Sequence, residues 1–193
     1  NIFNYGITKF CKKFNFDVIS IVSGRDAKDN YYHWLIDVLP RLIILEKEIN
    51  KNKDIKLLVP DCNISYQKES IKCFFKNKKI NLVSLYNNKF SQFKKIILCS
   101  NNENFEYLNY YLLSKLKKKI LYHAKKKNFI FNKTFEKIYI SRDDARNKRS
   151  FKHDQEIENF LVKKGFKIVI LSEFSFLEQA IIFNRAKVIS GLH

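Results

Sequence analysis

Lys137-Ile138-Tyr139-Ile140-Ser141-Arg142-Asp143-Asp144-Ala145-Arg146-Asn147-Lys148-Arg149 is a short apolar run that turns abruptly into a loop holding three arginines. Downstream, Asp154 to Lys164 has helical spacing and is ended by Gly165, and Lys167 to Leu171 is a second apolar run. Ser175 to Arg185 reads as another helix, with Ser175 as its cap and Glu178 at the capping-box position. Lys187 to Ser190 reads as a last strand, stopped by Gly191. Short buried strands alternating with amphipathic helices imply parallel sheets with crossover helices, an α/β fold.

The upstream part repeats the alternation more loosely. Val18 to Val22, Ile55 to Val59, Ile80 to Leu85 and Lys94 to Leu98 read as strands. Helices are expected from about Asn30 to Ile49, over Ser65 to Lys76, and over Phe105 to Lys126, the last with a lysine-rich outer face. The basic, poorly patterned Lys125 to Lys133 marks the boundary between two α/β units, 1–127 and 128–193.

The stretch Asn30-Tyr31-Tyr32-His33-Trp34-Leu35-Ile36-Asp37-Val38-Leu39-Pro40-Arg41-Leu42 contains the single tryptophan. On a helix, Leu35, Val38, Leu42, Leu45 and Ile49 form an apolar stripe with Trp34 at its margin. His33, Asp37 and Arg41 follow at four-residue spacing on the opposite face, so the pattern predicts that they look away from the core. Pro40 removes a helical bond and predicts a kink. The spacing fits a solvated surface helix and a helix lining a cleft equally well.

With 193 residues, 46% of them hydrophobic, the chain is long enough for a substantial core and is not of disordered composition. It contains no methionine and stops at Gly191-Leu192-His193, which leads us to expect a piece of a longer protein. A net charge of +18 raises nucleic acid as a partner. The lysines are scattered, however, and their joint over-use with Asn, Ile and Phe looks like AT-biased coding. A membrane surface or an anionic small molecule ranks above nucleic acid. Cys11, Cys62, Cys73 and Cys99 form no CxxC pair, so neither a zinc site nor a disulfide framework is indicated. Reduced thiols in the cytoplasm, with peripheral attachment to the inner membrane face, are the expected setting. Asn63-Ile64-Ser65 and Asn132-Lys133-Thr134 have the form of glycosylation sequons, which arise by chance in an Asn-rich chain. No apolar run is long enough to span a bilayer.

In open parallel sheets, ligands sit at the carboxyl ends of the strands. Three segments carry unusual residues there. The arginines after Ser141 suit a diphosphate, because guanidinium groups pair with phosphate oxygens two at a time; the other reading is a loop of surface ion pairs with Asp143 and Asp144. Glu173, just after a strand, suits ribose hydroxyls or is simply solvated. Gly191 allows backbone amides to approach an anion.

Taken together, these residues resemble glycosyltransferase family 61. The shared pattern comprises Tyr32-His33-Trp34, Asp37, Leu39-Pro40-Arg41, Ser141-Arg142, Ala145, Arg149, Gly165-Phe166, Val169, Glu173, Ser175 with Glu178-Gln179, and Gly191 with His193. Its order and register hold from about Asp29 to the end. Two departures are His153-Asp154, where the family usually has Asn-Glu, and the missing Gly-Ala-Gly-Leu after the final histidine.

The resemblance implies a GT-B-like pair of Rossmann-like lobes, the second incomplete. It also implies an inverting, metal-independent transfer of a sugar from a nucleotide diphosphate sugar to a glycan or polysaccharide hydroxyl. The nucleotide sugar is then a substrate, and no cofactor or metal is expected. Arg142, supported by Arg149, would hold the diphosphate beside Ser141. Glu173 and Gln179 would contact the nucleotide sugar, and Gly191 with His193 would complete the donor pocket. His33 or Asp37 would supply the general base, His33 being favoured with Asp37 orienting it, since a histidine titrates near neutrality. Lacking the glycine loop, the chain is expected to be inactive alone. Analogy suggests a surface polysaccharide such as a capsule as the product. The rival class is a non-catalytic basic module that binds anionic glycan or nucleic acid, for which binding would fall steeply with salt.

Overall fold

The computed structural model describes residues 11–23, 27–51, 54–75, 79–88, 90–99, 110–129, 135–144 and 154–191. Arg149, His153 and His193 lie outside the described residues, as does the sequon asparagine Asn132. The chain divides into two compact units, Asn1–Lys119 and Ile120–His193.

The first unit is built on four strands: β1 (Lys12–Ser20), β2 (Asp54–Val59), β3 (Lys79–Ser84) and β4 (Ser91–Leu98). They lie in the order β3-β2-β1-β4, every neighbouring pair parallel. The β-branched run Val18-Ile19 fills the middle of this sheet, buried with Leu57, Leu58 and Val59. β1 begins well before the expected Val18. Its first half, Lys12 to Phe14, pairs with Ser91 to Phe93, and Phe14, Phe16 and Phe93 form a ring cluster that supports the extension.

Between β1 and β2 runs a broken helical stretch: α1 (Tyr31–His33), a π-helical turn (Trp34–Val38), α2 (Leu39–Ile44) and α3 (Glu46–Lys51). The predicted kink takes the form of that π turn. Pro40 has no N–H to give, and the turn before it widens so that the Leu39 N–H reaches the Trp34 carbonyl five residues back. Trp34, Val38, Leu39 and Leu42 are fully buried. The expectation that the polar stripe looks away from the core is overturned, because Asp37 and Arg41 are buried as well. A helical wheel assumes an uncovered opposite face, and here that face is covered. α4 (Ser65–Lys72) follows β2, and α5 (Tyr110–Lys126) carries the chain across the division between the units.

The second unit has three parallel strands, β5 (Lys137–Ser141), β6 (Lys167–Ile170) and β7 (Val188–Gly191), in the order β6-β5-β7. α6 (Asp154–Lys163) connects β5 to β6, and α7 (Phe176–Arg185) connects β6 to β7. Phe135, Ile138, Val169 and Ile182 form its core, with Ile140, Leu171, Phe174 and Phe183 packed around them. Gly165 ends α6 with φ +82°, a left-handed conformation that strains any side-chain-bearing residue. The capping box at α7 is formed as read: Glu178 Oε2 accepts from the Ser175 N–H at 2.9 Å, and Ser175 Oγ accepts from the Glu178 N–H at 3.4 Å.

Candidate active site

Both sheets reverse their strand order beside the first strand of the unit: β1 lies between β2 and β4, and β5 between β6 and β7. Such reversals open a crevice outside the carboxyl ends, where α/β proteins take ligands. The sequence-predicted residues fall at these two edges.

In the first unit, Asn30 caps α1, its Oδ1 accepting from the His33 N–H at 3.2 Å. His33 Nδ1 lies 2.7 Å from Asp37 Oδ2. The His33 side chain is 24% exposed and that of Asp37 only 6%. A buried carboxylate is an acceptor only, so it favours the ring form with the proton on Nδ1, and Nε2 then keeps its lone pair. Arg41 folds back along its own helix. Its Nε donates to the Asp37 carbonyl oxygen at 2.9 Å, and another guanidinium nitrogen lies 3.6 Å from Cys99 Sγ. Cys99 directly follows β4, so Arg41 brings the helix to the carboxyl end of the strand at which the order reverses.

The same helix is anchored from behind. Trp34 Nε1 donates to Ser70 Oγ at 2.9 Å, and Ser70 Oγ donates to the Gln67 carbonyl at 3.0 Å. Gln67 Nε2 reaches the Lys28 carbonyl at 2.7 Å, fixing α4 to the loop after β1. Trp34 is therefore a core residue rather than a marginal one. Tyr31 packs edge-on against Tyr66 at 4.8 Å, and burial raises its phenol pKa well above the ordinary value. Cys62, in the loop after β2, is pushed up to about 11 by burial, with Lys68 pulling down and Asp61 pushing up.

In the second unit, the residues gather at the carboxyl ends of β5, β6 and β7. Ser141 is buried and its Oγ accepts from the Asp143 N–H at 3.4 Å. Arg142 follows, half-buried. Asp144 Oδ2 accepts from the Ser172 N–H at 2.9 Å, which ties the loop after β5 to the one-turn 3-10 helix Leu171–Glu173 after β6. Glu173 is exposed on that turn. Gln179 does not reach solvent freely: its Nε2 donates to the carbonyls of Leu171 and Phe174, at 2.8 and 3.0 Å, and so braces the turn that carries Glu173. Gly191 faces Ile140 across the β5–β7 pair. A Cβ there would sit 3.3 Å from the Ile140 carbonyl oxygen, so glycine lets the two backbones approach.

Arg41 was given no role in the sequence reading, and the structure bonds it to the Asp37 carbonyl at this edge. The available signal was its place in the four-residue series with His33 and Asp37. Among the described residues, no three His, Cys, Asp or Glu side chains are grouped to hold a metal ion. Among them, too, no helix is long and apolar enough to cross a membrane. No curated protein and no solved structure matches the chain. The family described as Glycosyltransferase 61 matches residues 31–193, beginning at the first residue of α1 and taking in both edges. A match over that much of the chain makes it a member of glycosyltransferase family 61, and an enzyme that transfers sugars.

Proposed function

We propose that this glycosyltransferase is an inverting, metal-independent enzyme of the GT-B type. It would move a sugar from a nucleotide diphosphate sugar to a hydroxyl of a glycan or polysaccharide, with a capsule-like surface polysaccharide as the product class. The first unit is then the acceptor-side lobe and the second the donor-side lobe. The observation that carries the reading is the 2.7 Å contact between the partly exposed His33 and the buried Asp37.

The chemistry runs as follows. The acceptor O–H gives its proton to His33 Nε2 while its oxygen bonds to the anomeric carbon. The bond from that carbon to the diphosphate oxygen breaks, and its electron pair leaves with the diphosphate. Attack from the face opposite the leaving group inverts the centre. Asp37 stabilises the imidazolium that forms, which makes the proton transfer favourable. Arg41, bonded to the backbone of Asp37, is a positioning residue. Arg142, with Arg149 as its support, and the backbone beside Gly191 would receive the charge of the diphosphate beside Ser141, while Glu173 would contact the nucleotide sugar. Gln179 acts through the turn it braces rather than by touching the donor.

The irregular cysteine spacings, with no CxxC pair, fit a reducing compartment such as the cytoplasm. The test is a screen of the full-length protein against a panel of nucleotide sugars, by thermal shift and by release of nucleoside diphosphate. One donor is expected to raise the melting temperature and to turn over with inversion, unaffected by EDTA. Retention of configuration, or turnover abolished by EDTA and restored by a divalent ion, overturns the mechanism.

A further inference from the structure

We propose that the outward face of α5 is a docking surface for an anionic lipid bilayer. This inference does not depend on the roles given to His33 or Arg142. α5 reads Tyr110-Tyr111-Leu112-Leu113-Ser114-Lys115-Leu116-Lys117-Lys118-Lys119-Ile120-Leu121-Tyr122-His123-Ala124-Lys125-Lys126, with six lysines and no acidic residue. Its inward side is set by Leu116, Ile120 and Ala124, all buried at four-residue spacing. On the opposite side stand Tyr111, Lys115, Lys118, Tyr122, Lys125 and Lys126, all exposed. At the helical turn of about 100° per residue, these six share an arc of roughly 100°.

Two features separate this row from the lysines scattered over the rest of a basic chain. First, it is free of acids, whereas α3 carries Glu46 and Glu48 and α6 carries Glu156 and Glu158 among their lysines. Among the described residues, the α5 lysine paired with a carboxylate is Lys119, which bonds Glu46 and lies over the Phe74 ring, outside the row. Second, large aromatic rings stand on the solvent side, with Tyr111 65% and Tyr122 46% exposed. A tyrosine beside lysines suits the headgroup layer, where its ring meets the acyl boundary and its hydroxyl stays wet. From Tyr111 to Lys125 the row extends about 21 Å at 1.5 Å per residue.

A lysine-tyrosine row also invites single-stranded nucleic acid, but the ring faces argue against it. Nucleic-acid platforms offer open ring faces on which bases stack. Here Lys115 Nζ lies over the Tyr111 ring at 4.4 Å and Lys126 Nζ over the Tyr122 ring at 4.6 Å, so each ring has an ammonium on one face. The charge is presented together with the ring edge and hydroxyl, an arrangement matched to an anionic headgroup such as a phosphatidylglycerol.

The test uses the full chain with vesicles of phosphatidylcholine alone or with about a third phosphatidylglycerol, in co-sedimentation. Binding to the mixed vesicles and not to the neutral ones is expected, lost between about 0.05 M and about 0.5 M salt. Replacing Lys115, Lys118, Lys125 and Lys126 by Gln together should lower partitioning at least a hundredfold, on the scale of about fivefold per lysine near an anionic surface. The equally charged variant with Lys47, Lys68, Lys72 and Lys163 replaced by Gln should lose less than about tenfold. Tyr111→Ser with Tyr122→Ser should weaken binding severalfold while leaving its salt dependence intact. Equal losses from the two lysine sets, or binding to neutral vesicles, overturns the proposal. So does retention of single-stranded RNA by α5 lysines without any vesicle binding.

Discussion

The two candidate edges are built by opposite means. In the first unit, the polar groups are folded into a helix and bonded to one another: His33 to Asp37, Arg41 to the Asp37 carbonyl, and Arg41 onward to Cys99. In the second, Glu173 is exposed and Arg142 half-buried, and what is fixed is backbone: the 171–173 turn held by Asp144 and Gln179, and the close β5–β7 approach at Gly191. A pre-bonded, partly buried dyad suits proton transfer, which needs one geometry and a low local polarity. An edge that carries a half-exposed guanidinium suits a large charged ligand that brings its own shape. On the proposed reading, chemistry falls to the first unit and holding to the second.

That contrast can be broken most directly at its exposed end. Arg142→Ala should lower kcat/KM at least a hundredfold in the full-length protein, on the scale of a lost charge-assisted phosphate clamp, about 3 kcal/mol. Its melting temperature should stay unchanged, since the side chain is half-exposed. Turnover left intact by this substitution removes the donor assignment.

A smaller effect is expected from Asp37→Asn. The amide can still accept from Nδ1 but no longer stabilises an imidazolium, so kcat should fall about ten- to a hundredfold with KM for the donor unchanged. Stability should drop by about 1–3 kcal/mol, the cost of disturbing a buried polar network. A loss confined to KM would move Asp37 from the chemistry to donor binding.

Gly191→Ala sharpens the other side of the comparison. The new methyl lies in tight contact with Ile140, so either strand must give by a few tenths of an ångström. A stability loss of about 1 kcal/mol and a severalfold weaker donor affinity are expected, with the acceptor KM unmoved. The smallest effect concerns alkaline pH. Cys62 ionises near its ordinary value when unfolded but only at about 11 when folded. Its contribution to stability is therefore complete below pH 9 and is lost as the pH rises from about 9 to about 11, by up to about 2 kcal/mol. Urea titrations should show the fall, and Cys62→Ala should flatten it.

Much of this architecture was legible beforehand, for local reasons. Strand runs such as Ile55 to Val59 and Lys137 to Ser141 stand out because both faces of a parallel strand are buried. The Ser175–Glu178 cap and the glycine stop at Gly165 are decided within a few residues, and both appear as read. What failed was tertiary. Helical spacing put His33, Asp37 and Arg41 on one face, but only the packed sheet could say that the face is covered and that Asp37 and Arg41 are buried. The π turn came from the conflict between Pro40 and its preceding carbonyls, which spacing flags as a kink without giving its form. The first half of β1 escaped notice because its alternation of Phe14 and Phe16 with Lys13, Asn15 and Asp17 gains meaning only beside Phe93. Gln179 matched the family pattern, and nothing in its neighbours revealed that its amide donates to the Leu171 and Phe174 carbonyls.

The central claim is that His33 takes the proton of the acceptor hydroxyl. The most direct measurement is single-turnover transfer by full-length His33→Gln protein, with donor affinity measured separately on the same preparation. The account predicts a rate at least about a hundredfold below the unsubstituted protein, with donor affinity within a factor of about two. A single-turnover rate within about threefold of the unsubstituted protein would contradict it.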